Sequence, residues 1–171
     1  MSAAPPVVLV GLMGAGKSPV GERLASRLGW RFLDNDDELE ARLGVTPRAL
    51  ADRDGTAALH AAEATVLLEL LTPPQPVVIA AAASTIEDLR CREALGAPLV
   101  AWLHADPEFL APRATDNGKR PVAGDIEGQL REHEARRSPL FAEVADARFD
   151  VATTPLDAIV DEIAALVTTA A

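Results

Sequence analysis

Residues Gly11 to Ser18 read GLMGAGKS and satisfy the pattern G-x-x-x-x-G-K-[ST]. The run Val7 to Val10 before them is apolar without alternation, and Val20, Leu24 and Leu28 after them recur on one helical face. A buried parallel strand, a phosphate-sized turn and a sheet-packed helix in that order leave few architectures open. Gly14 and Gly16 let the backbone close around an anion without a Cβ in the way. Successive N–H groups and the helix N-terminus then hold the anion. Lys17 offers a point charge to β- and γ-phosphates, and the Ser18 hydroxyl a ligand to Mg2+. Gly11, Gly14, Ala15, Gly16, Lys17 and Ser18 are therefore the candidate nucleotide-binding residues, with ATP and Mg2+ the expected cofactors.

Further short strands are expected at Trp30 to Leu33, ending in DND, at Val77 to Ala80 after TPPQP, at Leu99 to Leu103, and at Phe149 to Val151. Helix starts between them are marked by Thr46 before Pro47, Ser84 with Glu87 three positions on, Asp106 before Pro107, and Thr154 before Pro155. Strands that alternate with capped helices predict an α/β fold: a three-layer αβα domain over residues 1–171 with a mostly parallel five-stranded sheet. Its crevice should lie at the carboxyl ends of the strands. Residues 112–128, PRATDNGKRPVAGDIEG, break the apolar periodicity and read either as a lid over the site or as a solvated surface loop.

Composition narrows the function classes. Hydrophobic residues make up 49% of the 171, but with no Tyr, four Phe and two Trp the packing must be mainly aliphatic. Cys91 is the only cysteine, which excludes an intrachain disulfide and a Cys-based zinc cluster and leaves a small apolar filler in a helix or a reactive thiol. A formal charge of −10 argues against broad nucleic-acid binding, so an anionic ligand must be held locally. No signal peptide or membrane-length apolar run is legible, and a cytoplasmic monomer is expected.

Asp34, Asp36 and Asp37 follow the second strand, where a transferred phosphoryl group would move. If extended geometry persists, Asp34 and Asp36 share a side, one organising magnesium and the other holding or deprotonating an acceptor hydroxyl. An acidic helix start is the competing explanation, and the favoured one for Asp37. Arg113, Lys119 and Arg120 could close over a triphosphate or form a solvated basic cluster. Arg136 and Arg137 precede Pro139 and by position alone cap a helix end. His60 has Glu63 three residues on, a spacing that permits a local pair, whereas His104 and His133 have no partner pattern.

With these residues assembled, the chain resembles the shikimate kinases, from VLVGLMGAGKSPVGERLASRLGWRFLDND through GKRPV to RRSPLFAEVAD. The resemblance implies transfer of the ATP γ-phosphate to an acceptor hydroxyl, the 3-hydroxyl of shikimate in the family. The alternatives are another hydroxylated metabolite as acceptor, or nucleotide binding without catalysis. It places the phosphate loop on Gly11 to Ser18, the magnesium-side aspartate on Asp34 and the substrate-side aspartate on Asp36. It also places the lid arginine on Arg120, the nucleotide-side arginine on Arg113 and a carboxylate-binding arginine on Arg137. Lys17, Asp36 and Arg120 are then the candidate catalytic residues, and Asp36, His60, Ala82 and Arg137 the candidate acceptor contacts.

Departures gather in the acceptor half. His60 stands where the family has a carboxylate-binding arginine, and Ala81, Ala82 and Ala83 stand where it has three glycines. A neutral imidazole lacks the bidentate grip of a guanidinium, and three methyl groups take space beside the backbone. On the ATP side the one departure is Pro19, where the family has a threonine whose N–H faces the α-phosphate; proline has none and also biases Ser18 away from helical angles.

Overall fold

The structure, a computed structural model, describes residues 4–114 and 124–170. Strands β1 (Val7–Val10), β2 (Arg31–Asp34), β3 (Val77–Ala80), β4 (Leu99–His104) and β5 (Ala147–Asp150) form a five-stranded sheet in the order β2-β3-β1-β4-β5. Every pairing in it is parallel, with Val8 opposite Ile79 on one side and Val100 on the other. Parallel strands need crossover helices, and these cover both faces of the sheet, so the central strand must be apolar throughout. Val7, Val8 and Leu9 are accordingly 0% exposed.

Among the described residues the helices are α1 (Lys17–Leu28), α2 (Asn35–Leu43), α3 (Pro47–Asp54), α4 (Thr56–Leu70), α5 (Leu89–Ala94), α6 (Pro107–Ala114), α7 (Ile126–Val144) and α8 (Leu156–Ala170). They complete the expected three-layer α/β arrangement: α1 packs on β1, β2 and β3 and against α8, while α7 packs on β4 and α6. The core is aliphatic as composition requires, with Leu24, Leu39, Leu67, Ile79 and Ile163 at 0% exposure.

Two helix starts fall where the sequence marks them. Thr46 accepts from the Ala49 N–H at 3.1 Å with Pro47 opening α3, and the Asp106 carbonyl takes the Leu110 N–H at 3.1 Å to open α6. Others need correction. Ser84 caps nothing: it lies buried inside a 3-10 turn (Ala83–Glu87), and Asp88 starts α5 by accepting from the Arg90 N–H at 2.8 Å. Helix α8 begins one residue past the Thr154–Pro155 signal, β2 runs one residue later than expected, and β5 lies at Ala147–Asp150 instead of 149–151.

Pro139 does not stop its helix. Helix α7 continues to Val144 because Leu130, Arg137 and Phe141 bury its inner face, while Pro139 lies on the exposed side, where water can serve the freed carbonyl. Arg136 and Arg137 are therefore mid-helix residues, and the helix-end explanation for them fails. The unperiodic stretch is also shorter than its sequence suggests: Pro112 lies inside α6, Asp125 caps α7 through the Gly128 N–H at 2.9 Å, and residues 126–128 are helical. Lys119 and Arg120 lie outside the described residues.

Candidate nucleotide and acceptor site

At the carboxyl ends of β1, β2 and β3 lies a cavity of about 540 Å³. Met13, Gly14, Gly16, Lys17, Ser18 and Pro19 line it, together with Phe32, Asp34, Asp36, Asp37, Ala80 to Ala83, Arg113 and Ala114. The phosphate loop and the acidic residues after β2 thus meet in one pocket.

Gly14 shows why the loop needs glycine. Its φ is +86°, and a Cβ there would stand 2.7 Å from the Leu110 carbonyl oxygen and 3.1 Å from the Ala114 N, so the end of α6 packs on bare loop backbone. That packing carries Arg113 to the pocket, where its guanidinium lies 3.7 Å from the Phe109 ring centroid and donates to the Phe109 carbonyl at 3.2 Å. The Lys17 ammonium spans the loop, donating to the Gly11 and Leu12 carbonyls at 2.8 and 3.0 Å. Phosphate oxygens can replace these neutral carbonyl acceptors and add the attraction of a full negative charge. Gly16 is the N-cap of α1 and Val20 its first intrahelical donor, to the Gly16 carbonyl at 3.1 Å. Ser18 stays helical as the second residue of α1, so the bias from Pro19 does not pull it out of the helix.

Asp34 does two things at once, and strand alternation is not the reason. The strand ends at Asp34 and the chain turns directly into α2, so capping and site chemistry share one carboxylate. Its Oδ1 accepts from the Asp36 N–H at 2.9 Å, capping α2, and its Oδ2 accepts from the Ser18 hydroxyl at 2.5 Å. The turn leaves Asp36 and Asp37 in the first turn of α2, both on the pocket wall.

The site fits a nucleotide and magnesium on these observations. The loop backbone is open to an anion at a helix N-terminus. Ser18 and Asp34 present adjacent oxygens at its foot, the hard donors that Mg2+ takes beside phosphate and water. These residues could hold the metal, which when bound would draw charge from the transferring phosphoryl group.

Of the expected acceptor contacts, Asp36 and Ala82 line the cavity. Ala81, Ala82 and Ala83 do line the pocket, but His60, on α4, and Arg137 do not. Arg137 is 3% exposed and engages Glu87, donating from Nε at 3.1 Å and from the terminal nitrogen at 3.0 Å. Arg136 donates to the other oxygen of the same carboxylate. Burial lowers the proton affinity of the Arg137 guanidinium, with Glu87 acting in the opposite direction. Burial works to raise the pKa of Glu87, but the hydrogen bonds and charges of Arg136 and Arg137 outweigh it and hold the carboxyl below its usual value. Glu63, 0% exposed in α4, accepts from the Ser84 hydroxyl.

Sequence reasoning missed Glu87 as a partner of two arginines because Ser84-x-x-Glu87 is also the string of a capping box. It also missed Phe32 and Glu22 on the pocket wall. His104, without a partner in the sequence pattern, has two in space: Arg148 at 2.9 Å from Nδ1 and Glu134 at 2.9 Å from Nε2. A guanidinium can only donate, so Nδ1 is the acceptor and Nε2–H faces the carboxylate. Cys91 is the buried filler of α5; burial pushes its thiol up to about 11.

The shikimate kinase family profile matches residues 13–168. The chain is 43% identical over 143 residues to the shikimate kinase of Paramagnetospirillum magneticum, an alignment covering 80% of this chain and 71% of that protein. It is 35% identical over 161 residues to that of Bordetella pertussis, covering 92% and 76%. Among solved structures, shikimate kinase from Acinetobacter baumannii in complex with shikimate superposes with a TM-score of 0.89 at 31% identity, covering 96% of this chain and 93% of that one. A gluconokinase from Sinorhizobium meliloti shares the fold, with a TM-score of 0.67 at 24% identity and 99% and 94% coverage. Family profile, relatives and overall fold agree that this chain belongs to the shikimate kinase family.

Proposed function

We propose that the protein is an ATP-dependent kinase that transfers the γ-phosphate, with Mg2+, to a hydroxyl of a small hydroxylated metabolite. The observation that carries this reading is the joining of Lys17, Ser18, Asp34 and Asp36 in one pocket at the end of β1 and β2. Lys17 would hold β- and γ-phosphates, Ser18 and Asp34 the metal, and Asp36 the acceptor hydroxyl as base or anchor. Arg113 would sit on the nucleotide side, and Arg120 would add positive charge to the phosphoryl group in the transition state. A cytoplasmic monomer is part of this reading; among the described residues no helix is long and apolar enough to cross a membrane.

Shikimate is the acceptor that family membership puts first. A different hydroxylated acceptor is the second reading, favoured by the Glu87 carboxylate on Arg137 and by the methyl groups of Ala81 to Ala83 on the pocket wall. ADP release with Mg·ATP and shikimate, sugar acids, polyols, nucleosides or no acceptor tests both. Turnover that requires an acceptor supports the kinase. Nucleotide binding without acceptor-dependent ADP release across the panel would replace it with a nucleotide-binding protein.

A further inference from the structure

Among the described residues five polar or charged side chains are buried, and three of them meet at one place in an otherwise aliphatic core. Asn35, Glu63 and Ser84 are 1%, 0% and 5% exposed. The Ser84 hydroxyl donates to the Glu63 carboxylate, and Asn35 Nδ2 donates to the Glu63 backbone carbonyl at 3.3 Å. Both outer members are chain neighbours of cavity residues: Asn35 stands between Asp34 and Asp36, and Ser84 follows Ala83. One residue of α4 thus holds both the start of α2 and the start of the 3-10 turn. The far end of that turn is held elsewhere, at Glu87 by Arg136 and Arg137, so Ser84 is the tie next to the cavity.

We propose that Glu63, through Asn35 and Ser84, is a positioning residue for the acceptor: it sets where Asp36 stands relative to Ala82 and Ala83 without itself lining the cavity. The proposal deepens the kinase reading and rests on it for the identity of the ligand as an acceptor. Apolar contacts let two segments slide past one another, whereas a buried hydrogen bond fixes distance and direction and is costly to leave unmade. Misplacement by about 1 Å is enough to cost large factors in rate. The two bonds run to α2 and the 3-10 turn, so cutting them should disturb the acceptor and spare the nucleotide.

Ser84→Ala removes one tie and leaves every cavity residue in place. Amide hydrogen exchange in the free protein reads the tie directly. The Thr85 and Asp88 amides, which donate within the turn at 3.1 Å each, should exchange about tenfold faster, as for the loss of one buried hydrogen bond. The Val20 amide at the phosphate loop should keep its rate. Val66→Ala, on α4 and outside these bonds, is the control for lost stability alone. Calorimetric titration of shikimate into the ADP-bound protein reads the consequence: Ser84→Ala should weaken it about tenfold, with ADP itself within about twofold of wild type. Ser84→Thr, which keeps the hydroxyl, should recover most of that loss. Asn35→Ala, at the other end, should show the same selective loss of shikimate, a second measure if Ser84→Ala folds poorly. Turn amides that exchange in Ser84→Ala as they do in Val66→Ala, a shikimate affinity that falls no further than in Val66→Ala, or a loss shared equally with ADP overturns the proposal. Failure of the kinase reading would show separately, as absent acceptor-dependent ADP release while the exchange pattern holds.

Discussion

Replacing Pro19 by threonine should strengthen nucleotide binding while slightly weakening the fold. Helix α1 starts at Lys17 with Gly16 as its N-cap, so the backbone nitrogens of residues 16 to 19 are the four that have no intrahelical acceptor. Val20 is the first to make an intrahelical bond, at 3.1 Å to Gly16, and proline at 19 therefore costs the helix no hydrogen bond. What it removes is an N–H at the mouth of the pocket, which Pro19 lines. A hydrogen bond to a charged group contributes about 1.5–3 kcal/mol. If water recovers part of that in the wild type, a net gain of about 1.4 kcal/mol remains, about tenfold in affinity. The free protein should lose about 0.4–1 kcal/mol, since proline restricts the unfolded chain more than threonine does. For a chain of this size that lowers Tm by about 1–4 °C. Calorimetric titration of ATP and ADP against both proteins, with thermal melts without ligand, reads the two opposite signs. Equal gains for ATP and ADP are expected if the restored donor meets the α-phosphate, as the resemblance implies, since both nucleotides carry that group. No gain for either nucleotide refutes the reasoning, and a gain confined to ATP moves the defect to the γ-phosphate or the metal.

Lys17→Ala should abolish most acceptor-dependent ADP release while the far-ultraviolet circular dichroism stays unchanged; equal turnover would remove Lys17 from the chemistry. Gly21→Ala should lower stability by about 1–3 kcal/mol, the usual cost of overpacking, because a Cβ at Gly21 would stand 2.3 Å from the Phe32 ring; Phe32→Leu in the same chain should return part of the loss in a urea melt. Burial, with the charges of Arg137 and Arg136, lowers the pKa of His133 from 6.5 to about 4. The unfolded state therefore binds more protons between those values, and stability should fall as pH drops from 6.5 towards 4 and change little on this account above 6.5. His133→Gln, in urea melts across that range, should flatten this part of the profile.

The parts of the fold that could be read from sequence are those where local and long-range requirements coincide. Val7 to Val10 is a strand by composition and a central parallel strand by packing, and GLMGAGKS has one geometry in that setting. The acidic residues after β2 do reach the pocket, as their position in the sequence suggests, but not through strand alternation. Asp34 acts through a turn, with one carboxylate oxygen on α2 and the other on Ser18, and spacing two apart carried no information about that. Pro139 and Pro112 misled because a proline reports only on its own nitrogen, whereas α7 is held by side chains on its opposite face. Glu87 was illegible for a different reason: its partners lie 49 and 50 residues away, and its local string also spells a helix cap.

The strand order divides the labour of the pocket along the sheet. The phosphate loop grows from β1, which is flanked on both sides and 0–2% exposed, so a change there disturbs the whole interior. Other residues on the pocket wall follow β2, an edge strand, and β3, next to it. Asp36 and Ala82 lie beyond the last paired residues of those strands, where a new side chain alters the pocket without altering the ladder. A fold arranged this way can exchange one acceptor for another by a few substitutions at one end of its sheet while the nucleotide machinery at the centre stays unchanged. On the proposed function, acceptor choice is therefore the property that sequence drift reaches first.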